Sequence, residues 1–504
     1  MAFESNNFYV AKKEALAKSE YNVECNISAG SNVEKILSIS LEGCVESYEA
    51  LNGVINYSGY IDSKIIFLSD DGQINTVCSS CPLSSKFEGE DIANGQTALI
   101  NLNIIDYNID SITGDLIKLT AIVEQSGFII SSNETGSIRS DDEDICSKNE
   151  EMSVVKFLGC TNGKSEVKSE INSRGQIIKI LLTESNAYVK SVESGVNFVT
   201  ISGEVVSRVL YLSEDEKFES GYIYETFKEE LELEGVTKDS LVEGHAHVRP
   251  DMVTSEIVQD ERGCKIVVTS IVELKVCAYN EEKIEVIQDL YSTKYDINVT
   301  TQSFSMTNVC KMDTIEGKIE GNMVLEDDKP RVDKILFSAG NNVNITNKYI
   351  KDDEIFVEGI AKTYIVYLND ETNSINSVEL EIPFSLSDKF EGSEDGKIFA
   401  SAVIYDSDVA VKKGRELFYD AKIKICINYC SDTVCGIISA ANCLEEYPEK
   451  DYAMEVMFAR AGEELWDIAK KAKIKEQQIL DQNPDVVFPL NEDTTLILFY
   501  QKVR

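Results

Sequence analysis

Gly59-Tyr60-Ile61-Asp62-Ser63-Lys64-Ile65-Ile66-Phe67-Leu68-Ser69-Asp70 decides the fold, because the chain repeats its pattern twice. The second copy is Gly203-Glu204-Val205-Val206-Ser207-Arg208-Val209-Leu210-Tyr211-Leu212-Ser213-Glu214. The third is Gly359-Ile360-Ala361-Lys362-Thr363-Tyr364-Ile365-Val366-Tyr367-Leu368-Asn369-Asp370. In each, an aromatic follows the glycine by eight positions, then come Leu, Ser or Asn, and an acid. Lys35-Ile36-Leu37, Lys179-Ile180-Leu181 and Lys334-Ile335-Leu336 precede the glycines at nearly the same interval. Downstream, Phe87-Glu88-Gly89 after Pro82 is echoed by Phe390-Glu391-Gly392 after Pro383, while the middle copy keeps Thr226-Phe227-Lys228-Glu229. Agreement at three separated points marks an internal repeat.

Each copy reads as strands. The runs Ile65–Leu68 and Ile365–Leu368 are β-branched or aromatic and end in polar turn residues. The final strand of each copy is longer, over Leu116–Val123, Lys265–Ala278 and Lys422–Tyr429, the last alternating apolar with mostly polar residues. The predicted class is mainly β: three repeated antiparallel β-sandwich or barrel-like domains over 1–140, 150–285 and 295–445, followed by a small βααβ domain over 452–504. Polar Ser131–Glu150, with Asp141-Asp142-Glu143-Asp144 at its centre, reads as the first linker. The second boundary falls near residues 281–300 and the third at Glu445–Asp451.

Among 504 residues, 88 acidic against 48 basic side chains give a net charge of −40. Such a surface repels polyanions and excludes nucleic acid as a partner. Met1-Ala2-Phe3-Glu4-Ser5 lacks a basic segment followed by an apolar one, and no apolar run is long enough for a bilayer. We therefore expect an intracellular chain without a secretory signal or transmembrane segment, and its thirteen cysteines mostly as thiols.

The last fifty residues are different. Met454–Ala459 reads as a strand, followed by Gly462-Glu463-Glu464 and a helix carrying the single tryptophan, Trp466. A second helix ends at Asn483-Pro484, and Thr495–Tyr500 closes as a strand. Leu465, Ile468, Ala469 and Ala472 form one apolar stripe, with Trp466 about 100° off its edge, which predicts a partly exposed indole. Residues 452–504 carry seven basic and nine acidic residues, net −2, and the Lys470, Lys471, Lys473, Lys475 cluster suits an acidic surface.

Gly462–Ala469 and Asn483 resemble a LysM module, a βααβ unit that binds peptidoglycan, chitin or a protein. Glu464 stands where that family has Thr or Ser, and Pro489-Leu490-Asn491 replaces its Pro-Gly. Both departures border the sugar groove and move the expectation toward a protein ligand. The residues expected to bind the partner are Trp466 as anchor, with Gly462, Glu464 and Asn483 shaping the loops beside it.

Other chemistry is sparse. His245-Ala246-His247 projects two imidazoles from one face of a strand, but no third ligand stands nearby in sequence, so a structural or surface role is preferred to a metal pair. Cys78-Ser79-Ser80-Cys81 is read as a loop pair without a redox fold around it. Cys426, Cys430, Cys435 and Cys443 are irregularly spaced, which favours packing or cross-linking over zinc. No phosphate loop and no nucleophile elbow occur. We expect no catalytic residues, no cofactor and no metal.

Three related β domains ahead of a LysM-like tail resemble the SipL-like spore-coat morphogenetic proteins of clostridia. That resemblance implies a non-enzymatic scaffold in the mother-cell cytoplasm at the forespore surface. Its tail would bind the coat-basement ATPase SpoIVA and support encasement of the spore. The alternative is a peptidoglycan-binding protein whose repeats are spacers.

Overall fold

A computed structural model describes residues 3–173, 175–260, 263–372, 374–448 and 453–500. The first repeat contributes β1 (Glu4–Ala15), β2 (Ser19–Ser28), β3 (Val33–Leu51), β4 (Val54–Ser69), β5 (Ile74–Glu88), β6 (Thr97–Thr113) and β7 (Leu116–Arg139). The second contributes β8 (Ile145–Asn172), β9 (Ile177–Ser194), β10 (Phe198–Ser213), β11 (Phe218–Glu232), β12 (Leu241–Asp260) and β13 (Gly263–Ser292). The third contributes β14 (Tyr295–Val324), β15 (Val332–Lys351), β16 (Glu354–Asn369), β17 (Ile375–Lys389), β18 (Lys397–Lys412) and β19 (Glu416–Glu446). The tail is β20 (Met454–Ala459), α1 (Leu465–Ala472), α2 (Glu476–Gln482) and β21 (Thr494–Phe499). Neither helix is long and apolar enough to cross a membrane.

The expected β class holds, and every strand pairing is antiparallel. Each repeat builds two sheets. One is the meander β3-β4-β5, β9-β10-β11 or β15-β16-β17. The other is centred on the repeat's last strand: β12-β13-β8, β14-β19-β18, and in the first repeat β7 flanked by β6 and by β1 and β2. Two short strands thus stand where the other repeats have one long strand.

The signature residues define a surface shared by all three copies. A Cβ on Gly59, Gly203 or Gly359 would lie 2.0, 2.1 or 2.4 Å from the carbonyl oxygen of Cys44, Tyr188 or Asn344 on the neighbouring strand. Only glycine fits this approach, and in each copy the register slips beside it. A second slip leaves Leu37, Leu181 and Leu336 without an opposite residue. Leu37 and Leu181 enter one apolar cluster with Ile66, Leu210, Phe337 and Val366, and Leu336 packs against it. Each meander thus has one face on its own core and the other on this shared one. Burial of both faces explains why Ile65–Leu68, Val209–Leu212 and Ile365–Leu368 run apolar without alternation.

The last strands extend well past the predicted ends. β7, β13 and β19 continue as ribbons paired with β1 and with the first halves of β8 and β14. Phe8, Val10, Val154, Val286, Met306 and Ile437 close these ribbons around a second shared cluster. Ser131–Arg139, read as linker, is therefore paired strand, and only residues 140–144 separate β7 from β8. Likewise only Thr293 and Lys294 separate β13 from β14. Ribbons covered by neighbouring repeats need few apolar residues of their own, so their polar composition resembles a linker. At the third boundary Glu445 and Glu446 end β19, and residues 449–452 lie outside the described residues.

Polar contacts also join the repeats. Lys13 of β1 donates to Glu243 of β12 at 2.8 Å, both buried, and Tyr279 of β13 donates to the same carboxylate at 2.8 Å. Cys160 and Cys277, directly opposite on β8 and β13, form a disulfide, while ten other cysteines among the described residues are free thiols, as expected for most of them.

Candidate functional site

The tail places its two helices between paired β20 and β21 in sequence, and over one face of that pair. Gly462 adopts φ +84°, a left-handed conformation suited to glycine, and its N–H donates to Leu490 O at 2.7 Å. Leu490 N–H returns the bond to Glu463 O at 3.1 Å. Glu464 is the extended residue before α1, and its carbonyl accepts from Ile468 N–H at 3.3 Å. Asn483 fastens α2 to β21: its amide nitrogen donates to Ile479 O and Ile497 O at 3.0 and 3.1 Å, and its side-chain oxygen accepts from Ile497 N–H at 3.0 Å. Gln482 does the same at Phe499, donating to its carbonyl at 3.0 Å and accepting from its N–H at 2.8 Å. Two side chains thus occupy the hydrogen-bonding positions a further strand would take beside β21.

The structure corrects the expected exposure of Trp466. Ile468, Ala469 and Ala472 are buried as their spacing predicted, but Trp466 is also only 7% exposed. Its ring meets Tyr291 of β13 edge-on at 5.0 Å, and its N–H donates to Asp289 Oδ2 at 2.8 Å. Lys470 adds bonds of 2.5 and 2.8 Å to the same carboxylate, and Tyr291 O–H donates to Ile474 O at 2.8 Å. Lys148 of β8 reaches Glu464 at 3.3 Å. Burial pushes the Asp289 carboxyl upward, but its bonds to Lys470 and Trp466 outweigh this and hold it below the ordinary carboxylate range. Trp466 therefore seats the tail on the second repeat. The acidic surface expected for the lysines is supplied, at Lys470, by the same chain. Nothing in the local sequence could reveal this, since Asp289 and Tyr291 lie over 170 positions away.

Among the described residues, nothing covers the opposite face of the tail sheet. Met454, Val456 and Phe458 on β20 and Ile497 and Phe499 on β21 point outward, with Phe458 81% exposed. Met454 stands opposite Phe499 and Val456 opposite Ile497, so these side chains form one continuous patch. Sequence reasoning passed over it. Met454–Ala459 and Thr495–Tyr500 were read as strands with no face assigned, and Ala459, Leu496 and Leu498 are the buried members.

The remaining candidates separate. His245 is half-buried edge-on to Phe399 at 5.5 Å, and burial first, with Lys13 and Lys275 adding to it, lowers it to about 4 against the pull of Glu243. His247 lies instead beside Cys44 and Glu42 of the first repeat, so the two imidazoles do not share a ligand. Cys78 and Cys81 lie within β5 rather than a loop, and their three-residue offset points them to opposite faces. Cys81 meets Cys25, whose thiol draws it down to about 7. Cys426 approaches Val189 O, while Cys435 packs against the second shared cluster, so these two members of the cysteine group face different surroundings.

Residues 331–412 match the family model described as SipL, SPOCS domain. No curated protein and no solved structure matches the chain significantly. The matched segment runs from the start of β15 to the end of β18, the third repeat's meander and the strand after it. The chain is SipL-like, and a sporulation-related role follows from that match.

Proposed function

We propose that this SipL-like chain is a non-enzymatic scaffold of spore-coat assembly. In this reading it lies in the mother-cell cytoplasm at the forespore surface, where its tail holds a SpoIVA-like coat-basement ATPase. The observation that carries the proposal is the bare apolar face of β20 and β21, headed by Phe458. Exposed aromatic and aliphatic side chains in one patch are a typical protein-docking surface. The helices and Trp466 are already used to seat the module on β13, which leaves this face outward. Gly462 and Asn483 then act indirectly, by closing the loops that hold the sheet, and Glu464 acts by its contact with Lys148.

The test offers the full chain, and a Phe458→Ser, Phe499→Ser variant, separately to a purified SpoIVA-like ATPase and to peptidoglycan. Capture of the ATPase by the parent and its loss in the variant is expected. Retention on peptidoglycan with no ATPase capture would establish the glycan-binding alternative instead.

A further inference from the structure

Where the first repeat meets the second, three donor side chains of different chemistry converge. Cys44 and Glu42 are two positions apart on β3 and share a face; His247 comes from β12 of the second repeat. Cys44 Sγ lies 3.5 Å from His247 Nε2, and Glu42 Oε1 lies 3.5 Å from His247 Nδ1. Among the described residues this is the one group whose Cys, His and carboxylate atoms are spaced to hold a metal ion. The sulfur–nitrogen separation also fits two ligands of one ion. Zn–S and Zn–N bonds of about 2.3 and 2.0 Å at a tetrahedral angle place the two ligand atoms about 3.5 Å apart.

A separate observation points to a cation here. Asp62 stands directly opposite Glu42 in the β3–β4 pair, so two carboxylates face each other at adjacent positions on one surface. Asp62 is only 3% exposed; Ser80 donates to its Oδ1, and its Oδ2 has no partner. The cations acting on this group are engaged elsewhere: Lys64 donates to Thr183 O at 2.6 Å, and Arg249 forms a paired contact with Asp251 at 3.0 and 2.8 Å. Glu42 and His247 remain about two-fifths exposed in their side chains, which leaves an entry path for an ion.

We propose that this interface binds a zinc ion through Cys44 Sγ and His247 Nε2. Glu42 holds the imidazole by its other nitrogen, the usual outer partner of a metal-bound histidine. Asp62, buried opposite Glu42, adds negative charge beside the ion, and water completes the tetrahedron. Binding releases the Cys44 proton and leaves a thiolate on the metal, so affinity falls as pH falls. The ion ties the first repeat to the second at a point where their own charges leave negative groups uncompensated.

The probe is Co2+, then Zn2+, added to the chelator-treated full chain. One Co2+ per chain with a thiolate-to-cobalt charge-transfer band is expected, displaced by Zn2+. Cys44→Ser should abolish the band, and Cys78→Ser, the nearby exposed thiol, should leave it intact. Asp62→Asn should weaken binding roughly tenfold or more. If Cys44→Ser does not fold, His247→Ala decides, because that side chain is partly solvent-exposed and its loss should still weaken the cobalt complex at least tenfold. No thiolate band in the parent, a band that vanishes with Cys78→Ser, or unchanged affinity in His247→Ala would overturn the site.

Discussion

The meander sheet of any repeat and the two-stranded sheet of the tail are built from similar residues but end in opposite environments. In the meanders, Ile65 packs on its own core and its neighbour Ile66 on the cluster shared by three repeats, so neither face reaches water. In the tail, Leu496 and Leu498 are buried while Ile497 and Phe499 between them are exposed. Apolar side chains on the second face are structural where another repeat covers them and available where nothing among the described residues does. The difference separates the scaffold from its contact surface.

The sharpest way to break this contrast is at the shared cluster. Leu210→Ala should cost about 2–5 kcal/mol, measured by denaturant unfolding, because a fully enclosed leucine leaves a cavity. A loss below about 1 kcal/mol would mean that the second face of the meander is not tightly packed. The tail's seat comes next. Asp289→Asn removes a charged acceptor of Trp466 and Lys470 and should release the tail, with a shift in the emission of the single tryptophan. The Asp289 carboxyl is held below its ordinary value, so its contribution is complete above about pH 4 and is lost as pH falls through the lower folded value. Acid titration of the parent should therefore reproduce the mutant's emission, and an unchanged spectrum would remove Asp289 from the seat. The smallest effect belongs to the bare face: Phe458→Ser should alter unfolding stability by no more than about 0.5 kcal/mol. A larger loss would show that the patch is part of the fold.

The repeat was legible because Gly59, Gly203 and Gly359 answer to a steric demand that no other residue meets. The apolar runs after them were legible as strands, but not as strands buried on both faces, since the covering residues come from other repeats. The ribbons were misread for the same reason: Ser131–Arg139 looks like a solvated linker until β1 lies beside it. Trp466 was located correctly within α1, yet helix phase alone cannot report that Tyr291 covers the ring. Cys44 and His247 are 203 positions apart, so their encounter exists only in the folded chain. The four-cysteine stretch drew attention because its members are close in sequence; along an extended strand that closeness carries them apart.

The two clusters to which every repeat contributes also bear on the order of synthesis. A chain that has emerged from the ribosome only as far as β7 already carries Leu37 and Ile66 for one cluster and Phe8 and Val10 for the other. It lacks the partners from the other two repeats that cover them. Those side chains stay wet until the third copy arrives, so truncation after the first or second repeat produces a sticky fragment rather than a smaller scaffold. Both shared clusters are complete only once the third repeat, through β19, has been made.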